Sequence, residues 1–186
     1  MSRVFDRRHL SWAQCASLTC TLADMVRDHG PIDTVMAVSR GGLVPGALMA
    51  TLLDMRDVVS TAIASYEEEE RVSGPNFVHF PDNGKVAGRN VLIVDDVWDT
   101  GHTAVAVADR VRQAGGKPIV AVLHYKPGNS EFPDRKPELW VEETADWIVY
   151  PWEREALDGA GGVSAGVGTS GSDLSAGTAA PALETG

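Results

Sequence analysis

Short apolar runs alternate with amphipathic stretches along this chain. Residues 91–94 are an unbroken apolar run of the length of a buried strand, and the mainly apolar residues 34–38 and 118–125 predict two further strands. Residues 57–65 are rich in β-branched side chains and predict one more strand. The pattern therefore predicts several short strands, each separated from the next by a longer segment.

The segments between these runs are typical of helices. Ser11 and Gln14 form a capping-box pattern at the start of residues 11–30, which carry an apolar stripe and end at Gly30-Pro31. Its members are Cys15, Leu18, Leu22, Met25 and Val26. Residues 44–55 and 103–114 predict two further helices, the second ended by Gly115-Gly116. We therefore predict an α/β fold, with an open, mostly parallel sheet between helices and ligands bound at the carboxyl ends of its strands.

The length and composition predict one folded domain and a tail. Residues 1–156 form the predicted domain, and residues 157–186, rich in Gly, Ala, Ser and Thr, form a predicted disordered tail. That tail contains GVGTSG at 166–171, a dinucleotide-site pattern that lacks the required strand before it and helix after it. Residues 66–89 predict a long mobile loop, with Asn83-Gly84 at the tip of a strand pair.

Charge and cysteine content exclude several classes of function. The net charge of -10 and pI near 4.8 argue against nucleic acid or an anionic membrane as a partner. No signal-like start or membrane-spanning run is visible, so we expect a cytoplasmic protein. Cys15 and Cys20 are expected to be packing residues in a reducing compartment. Trp12, Trp98 and Trp140 are expected to pack in the core. The five scattered histidines predict no zinc site.

The stretch VLIVDDVWDTGHTA carries the strongest chemical signal. Asp95 and Asp96 follow an apolar strand, while Thr100, Gly101 and Thr103 form a tight turn into a helix amino terminus, which favours a phosphate. Carboxylates repel an anion unless each group contacts a different part of one ligand. A sugar phosphate fits, with its hydroxyls on the carboxylates and its phosphate on the turn. The alternative for Asp99 or Thr100 alone is a helix cap.

This stretch resembles the signature of the type I phosphoribosyltransferases, an apolar strand followed by two acidic residues and D-[TS]-G-x-T. Within that family the chain is most similar to the bacterial xanthine-guanine and hypoxanthine transferases. The resemblance covers roughly residues 35–153. It implies an α/β fold with a flexible hood loop, which would begin at Ser65-Tyr66. The glutamates at 67–70 are interpreted as a solvated loop surface, without a chemical role.

AVSRGGLVPG, at 37–46, resembles the pyrophosphate loop of this family. Arg40 offers a fork of donors to phosphate oxygens, and Gly41 and Gly42 let the backbone approach an anion. The resemblance implies a cis peptide bond between Ser39 and Arg40. An ordinary turn between strand and helix is the alternative for this motif taken alone.

The resemblance also implies roles on the base side of the site. Lys126 would donate to O6 of a purine, Trp147 would stack on the base, and the backbone of Ile148 would read the base edge. Asp99 would act on the base at N7, and His102 would join Thr100, Gly101 and Thr103 in binding the 5-phosphate through backbone N–H groups. Asp95 and Asp96 would orient the ribose and magnesium, with Glu153 as a weaker magnesium ligand because relatives carry aspartate there.

The implied activity is transfer of ribose 5-phosphate from 5-phosphoribosyl 1-pyrophosphate (PRPP) to N9 of a 6-oxopurine, with Mg²⁺ as cofactor. The family usually forms dimers or tetramers, so a homo-oligomer is expected. Two alternatives stay open: a regulator that binds the sugar phosphate without catalysis, and a transferase for another nitrogen base. Which of hypoxanthine, guanine and xanthine is preferred is not indicated by the sequence.

Overall fold

The structure, a computed structural model, describes residues 7–64 and 75–159. In chain order the elements are β1 (Arg7–His9), α1 (Trp12–His29), β2 (Thr34–Ser39), α2 (Leu43–Leu52), β3 (Val58–Ile63), β4 (Phe77–His79), a 3-10 helix (Asn83–Lys85), β5 (Asn90–Trp98), α3 (His102–Gln113), β6 (Lys117–Tyr125), β7 (Leu139–Glu143), β8 (Trp147–Val149) and α4 (Arg154–Gly159). The GVGTSG pattern, the glutamates at 67–70, most of the predicted hood and most of the predicted tail lie outside the described residues.

Six strands form the central sheet, in the order β4-β3-β2-β5-β6-β7. All neighbours in it are parallel except β3 and β4. A second, two-stranded sheet pairs β1 with β8 in parallel. The predicted open, mostly parallel α/β fold is confirmed.

Helices cover both faces of the sheet, as the apolar runs predict. On one face α1 and α2 pack Leu22, Val26 and Met49 against alternate residues of β5 such as Leu92. On the other face α3 packs Val107 and Val111 against Ile93 and its neighbours. Because both faces of β5 are buried, its sequence is apolar at every position from 91 to 94. The capping box of Ser11 and Gln14 is present at the start of α1.

Strand β5 is longer than predicted, and the extra length shapes the site. Asp95 and Asp96 were expected to end the strand, but β5 continues to Trp98 because it stays paired with β6 as far as Trp98 opposite Tyr125. Its pairing with β2 ends earlier, at Ala37 opposite Val94. Asp95 and Asp96 therefore lie in the part of β5 that is still paired with β6 but no longer with β2.

Several other predictions were wrong in detail. Asn83-Gly84 lies in the 3-10 helix, and the strand pair of this region joins β3 to β4 instead. Helix α2 ends at Leu52, and β1, β7, β8 and α4 were not predicted. Helix α4 extends to Gly159, three residues beyond the predicted domain boundary at 156, and the division into domain and tail stays a prediction.

Two of the packing predictions also fail. Cys15 is buried in the core, but Cys20 is exposed on the opposite side of α1. Trp98 is buried and Trp140 is partly buried, whereas Trp12 is 56% exposed, with its ring centre 5.9 Å from that of Trp152. Within the described part of the chain, no helix combines the length and the apolar character needed to cross a membrane.

Candidate active site

The site lies in the crevice between β2 and β5. From this point the chain proceeds outwards in both directions, through β2, α2 and β3 on one side and through β5, α3 and β6 on the other. Such a switch point leaves a crevice at the carboxyl ends of the two central strands. A cavity of about 290 Å³ opens there, lined by Ser39, Arg40, Gly41, Asp95, Asp96, Asp99, Thr100, Gly101 and Thr103 among others. The two motifs of the sequence analysis thus meet in one cavity.

The loop after β2 packs tightly on the acidic pair. The Ser39–Arg40 peptide bond is cis, as the resemblance implied. A Cβ atom at Gly41 would lie 2.3 Å from the Oδ2 atom of Asp96, and one at Gly42 would lie 2.2 Å from the carbonyl oxygen of Val94. Both positions therefore require glycine, because any side chain would push the loop away from the carboxylates.

The acidic pair is buried in an environment that disfavours its charge. Burial raises the pKa of Asp96 to about 6; the indole N–H of Trp152, 3.3 Å from Oδ2, opposes that rise, and Glu153 adds to it. Burial, and then the charge of Asp96, raise the pKa of Asp95 well above its ordinary value. The Oδ1 atom of Asp95 accepts a hydrogen bond from the backbone N–H of Asp96 at 3.0 Å. Binding of a cation or of hydroxyl donors would relieve this cost.

The turn after Asp99 presents a helix amino terminus to the same cavity. Gly101 precedes α3 with φ of +92°, and a Cβ atom there would lie 2.6 Å from the indole nitrogen of Trp98. Among residues 7–64 and 75–159, no side chain caps α3, so the capping alternative for Asp99 and Thr100 is wrong. The first N–H groups of α3 are therefore not occupied by a side-chain cap, as a phosphate site requires.

A second cavity, of about 220 Å³, adjoins the first and has the base-side residues on its walls. It is lined by Asp96, Val97, Asp99, Lys126, Trp147, Ile148, Tyr150 and Glu153, and its first three lining residues also line the larger cavity. The ammonium of Lys126 lies 3.1 Å from Oδ2 of Asp99 and 5.3 Å from the centre of the Trp147 ring. Lys126 is buried, whereas Trp147 is 49% exposed.

The remaining predicted residues lie close by. The ring of His102 turns away, with Nε2 2.8 Å from the Glu131 carboxylate and its ring 5.1 Å from that of Phe132. The 290 Å³ cavity is lined by its neighbours Gly101 and Thr103 but not by His102 itself, so the backbone role of His102 stays a prediction. Glu153 shares a wide groove of about 1220 Å³ with Arg40 and Asp96.

The acidic residues suit a hard cation such as Mg²⁺, which prefers carboxylate oxygens and usually binds through one or two of them together with substrate phosphates. Asp95 and Asp96 offer two carboxylates whose pKa values are raised chiefly by burial, and Glu153 lies near enough to raise the pKa of the second further. Over the described residues, no group of three or more His, Cys, Asp or Glu side chains could hold a metal by itself. The donor set therefore fits Mg²⁺ that arrives with a phosphorylated substrate.

Three residues of the site were missed by sequence reasoning. Asn129 donates to Oδ1 of Asp99 at 2.8 Å. The Tyr150 hydroxyl donates to the backbone oxygen of Asp96 at 2.9 Å, and the Trp152 indole donates to its side chain. No local pattern marks them, because their partners lie 30 to 56 positions away in the chain.

Comparison with known proteins agrees with this geometry. The family model described as a phosphoribosyl transferase domain matches residues 14–158. Xanthine-guanine phosphoribosyltransferase from Gluconobacter oxydans is 33% identical over 137 residues, which cover 73% of this chain and 77% of the relative. The crystal structure of a purine phosphoribosyltransferase from Pyrococcus horikoshii superimposes with a TM-score of 0.67 at 31% identity, covering 79% of this chain and 94% of that one.

A second solved structure supports the fold alone. The xanthine-guanine-hypoxanthine phosphoribosyltransferase of Helicobacter pylori has a TM-score of 0.71 at 20% identity, over 83% of this chain and 99% of its own. Because the family model spans most of the chain and the crevice carries the residues of the family signature, this chain belongs to the phosphoribosyltransferases and is an enzyme of that family.

Proposed function

We propose that the enzyme is a purine phosphoribosyltransferase of purine salvage, which transfers ribose 5-phosphate from PRPP to N9 of a 6-oxopurine and releases pyrophosphate. The relatives named above support the purine substrate, since both the Gluconobacter and the Pyrococcus proteins carry purine-specific names. The site residues proposed below, a cytoplasmic location and a homo-oligomeric state, dimer or tetramer, belong to the same proposal.

The observation that carries the proposal is the wall shared by the two cavities. Asp96, Val97 and Asp99 line both the cavity beside the helix amino terminus and the cavity that contains Lys126 and Trp147. A sugar phosphate in the first cavity would therefore present its ribose C1 to a base in the second. Proximity of this kind removes much of the entropic part of the barrier to reaction between two substrates.

The proposed chemistry assigns one task to each part of the site. N9 attacks C1 of the ribose with its lone pair, the bond from C1 to the pyrophosphate oxygen breaks with its electrons on that oxygen, and the proton on N7 passes to Asp99. Thr100, Gly101, His102 and Thr103 hold the 5-phosphate through the amino terminus of α3. Arg40 and the backbone at Gly41 bind the departing pyrophosphate.

Mg²⁺ belongs to the proposal as the cofactor. Asp95 and Asp96, with Glu153 as a further candidate, would hold it, and when bound it supplies positive charge that stabilises the leaving pyrophosphate. The same two carboxylates orient the ribose hydroxyls. Their burial makes them strong acceptors for a substrate that brings both a cation and hydroxyl donors.

Base selection rests on the buried ammonium of Lys126. A 6-oxopurine offers it the O6 acceptor, while adenine presents an amino group in that place and leaves the ammonium without the bond that a 6-oxopurine provides. The cost is on the order of 1 to 3 kcal/mol, which corresponds to roughly 5- to 150-fold in rate. Trp147 stacks on either base, and Ile148 is expected to read the base edge through its backbone.

The proposal is tested by measuring pyrophosphate release from PRPP and Mg²⁺ with hypoxanthine, guanine, xanthine, adenine and a pyrimidine base. We expect turnover of at least one 6-oxopurine and at least several-fold slower turnover of adenine. Efficient turnover of a pyrimidine base alone would favour a transferase for another nitrogen base. Binding of PRPP in calorimetry without turnover of any base would favour the regulator.

A further inference from the structure

Residues 129–132 contact residues 98–102, which include the turn proposed to bind the 5-phosphate and are called the phosphate turn below. Each of the four residues makes at least one of these contacts. Asn129 donates to Asp99 at 2.8 Å, and the Trp98 indole donates to the Ser130 hydroxyl at 3.2 Å. The backbone N–H of Glu131 donates to the carbonyl oxygen of Thr100 at 3.0 Å. The side chains of Glu131 and Phe132 contact the ring of His102. We name residues 129–132 the clasp segment.

The clasp segment is also fixed to Lys126. The backbone N–H groups of Asn129 and Ser130 both approach the carbonyl oxygen of Lys126, at 3.1 and 3.2 Å, and the N–H of Lys126 donates to the carbonyl oxygen of Trp98 at 2.9 Å. The lysine that faces the base and the amide that holds Asp99 thus belong to one hydrogen-bonded turn. Hydrogen bonds from Lys126 to Trp98 and from Asn129 to Asp99 fix that turn to the end of β5.

Each oxygen of the Asp99 carboxylate has its own donor. Oδ2 accepts from the Lys126 ammonium and Oδ1 accepts from the Asn129 amide. An ionised carboxylate has no proton to donate, so the amide must present its NH₂ group, which fixes the orientation of the Asn129 side chain. The amide donor cannot change its protonation state, unlike the groups around it.

These two donors behave differently when a base enters. Under the proposed function, Lys126 must direct an N–H toward O6 of the purine, and Oδ2 must face N7. Nothing in that exchange requires Asn129 to move, because its partner is the other oxygen. We propose that Asn129 is a positioning residue: it fixes Oδ1 so that the Asp99 carboxylate keeps its orientation while Oδ2 exchanges its Lys126 partner for the N–H at N7 of the base. This inference rests on the proposed function.

The test is the Asn129→Ala variant, with Asn83→Ala as the matched control. Asn83 lies in the 3-10 helix outside the site, where its side chain accepts a bond from Arg110. For Asn129→Ala we expect kcat/KM for the base to fall on the order of 10- to 100-fold, with KM for PRPP within about twofold of wild type. The control should retain wild-type values for both. An unchanged kcat/KM in Asn129→Ala would overturn the inference.

A double-mutant cycle separates positioning from general damage. Asn129 acts through Asp99, so adding Asn129→Ala to an Asp99→Asn enzyme should lower the residual rate by less than about twofold. If Asn129→Ala lowers the rate of the Asp99→Asn enzyme as much as it lowers that of the wild type, Asn129 acts elsewhere and the inference is overturned. Thermal unfolding of each variant shows whether the fold is intact, and Asn129→Ser supplies a smaller polar side chain if the alanine variant does not fold.

Binding of a purine nucleoside 5-monophosphate, the proposed product, gives a readout that needs no turnover. We expect Asn129→Ala to weaken that binding, and Asn83→Ala to leave it unchanged. If wild type turns over no base but shows this difference, the proposed reaction fails while the positioning role of Asn129 stands. If wild type neither turns over a base nor binds the nucleotide, both proposals fail.

Discussion

Asp96 and Asp99 are carboxylates on the same stretch of chain, and their surroundings are opposite. Asp96 is 8% exposed, and burial raises its pKa to about 6. Its side-chain donor is the Trp152 indole at 3.3 Å, and the described residues form no lysine or arginine ion pair with it. Asp99 is more exposed and has both an ammonium and an amide as donors.

The difference shows which carboxylate is prepared before substrate arrives. Asp99 is already oriented by its partners, which under the proposed function would suit a group that accepts a proton in one direction. Asp96 holds a charge at a cost to stability, which a cation and ribose hydroxyls would offset on binding. Under the proposed function, one carboxylate would serve the chemistry and the other would serve ligand affinity.

The largest effect is expected for Asp99→Asn. An amide has almost the same shape but cannot accept the N7 proton, so kcat should fall on the order of 100- to 10,000-fold. PRPP affinity should change little, because the phosphate turn and the acidic pair are untouched. Steady-state rates and PRPP calorimetry measure the two properties separately. A comparable loss of PRPP affinity would show that Asp99 and the acidic pair do not have separate roles.

Gly101→Ala should cause the next largest effect, and Gly88→Ala is its matched control. Both residues have positive φ, at +92° and +74°, but only at Gly101 would a Cβ meet a neighbour, the Trp98 indole at 2.6 Å. Gly88→Ala should reduce the free energy of unfolding by about 1 to 2 kcal/mol from backbone strain alone. Gly101→Ala should reduce it further and weaken PRPP binding. Equal losses of stability in denaturant titrations would contradict the tight packing behind the turn.

Asp96→Asn should stabilise the protein and weaken its binding of PRPP with Mg²⁺. The folded state of the wild type holds a proton on Asp96 up to a pH of about 6, whereas the unfolded chain loses it near 3.8. The free energy of unfolding of the wild type therefore falls as pH rises from about 4 to about 6 and stays reduced above it. The variant lacks this penalty, so its gain should be on the order of 1 to 3 kcal/mol at pH 8 and small at pH 4.

Asp109→Asn should change the free energy of unfolding in the opposite direction and serves as the control for Asp96→Asn. A hydrogen bond from Arg135 lowers the pKa of Asp109, so its charge stabilises the folded state at neutral pH and the substitution should be destabilising. The side chain is 45% exposed, so the loss should stay below about 1 kcal/mol. Urea titrations at pH 4 and pH 8 measure both variants, and a stabilised Asp109→Asn would contradict a stabilising role for the Asp109 charge.

A smaller effect than that of Asp96→Asn is expected for Trp152→Phe. Phenylalanine keeps the stacking of Trp152 on Tyr150, whose ring centres lie 4.9 Å apart, but removes the indole N–H that lowers the pKa of Asp96. The decline in stability with pH should therefore continue to a higher pH than in the wild type, with an additional loss of about 0.5 to 1.5 kcal/mol above pH 6. Stability measured against pH in finer steps checks this, and a decline that ends at a lower pH than in the wild type would contradict the assigned role of the indole.

The same contrast explains which residues of the site can be predicted from the sequence alone. Asp95, Asp96, Asp99 and Gly101 belong to one contiguous motif, so their proximity follows from chain connectivity together with a strand that ends in a turn. Trp152 and Asn129 reach the motif through tertiary folding and have no spacing rule to reveal them. The extension of β5 to Trp98 was missed for a related reason: pairing with β6 overrides the polar residues at 95 and 96.

Short strands also escaped prediction because their pattern is too brief to show a period. β1 and β8 contain three residues each, and Trp12 was assigned to the core although it lies at an exposed helix start. Cys15 is buried and Cys20 is exposed because the two residues lie on different sides of α1. Their spacing in the sequence indicates different sides, but it does not indicate which side faces the sheet.

The pairing of β1 with β8 affects the order in which the enzyme becomes functional during synthesis. Arg8 lies opposite Ile148, so the strand that carries Trp147 and Ile148 joins an early segment of the polypeptide to a late one. Closing so large a loop is slow and must wait until translation has passed β8. The phosphate turn lies in β5 and α3 and is held by β6 and the clasp segment, all of which precede β8 in the chain. Under the proposed function we therefore expect a nascent chain to complete its anion site before its nucleobase site.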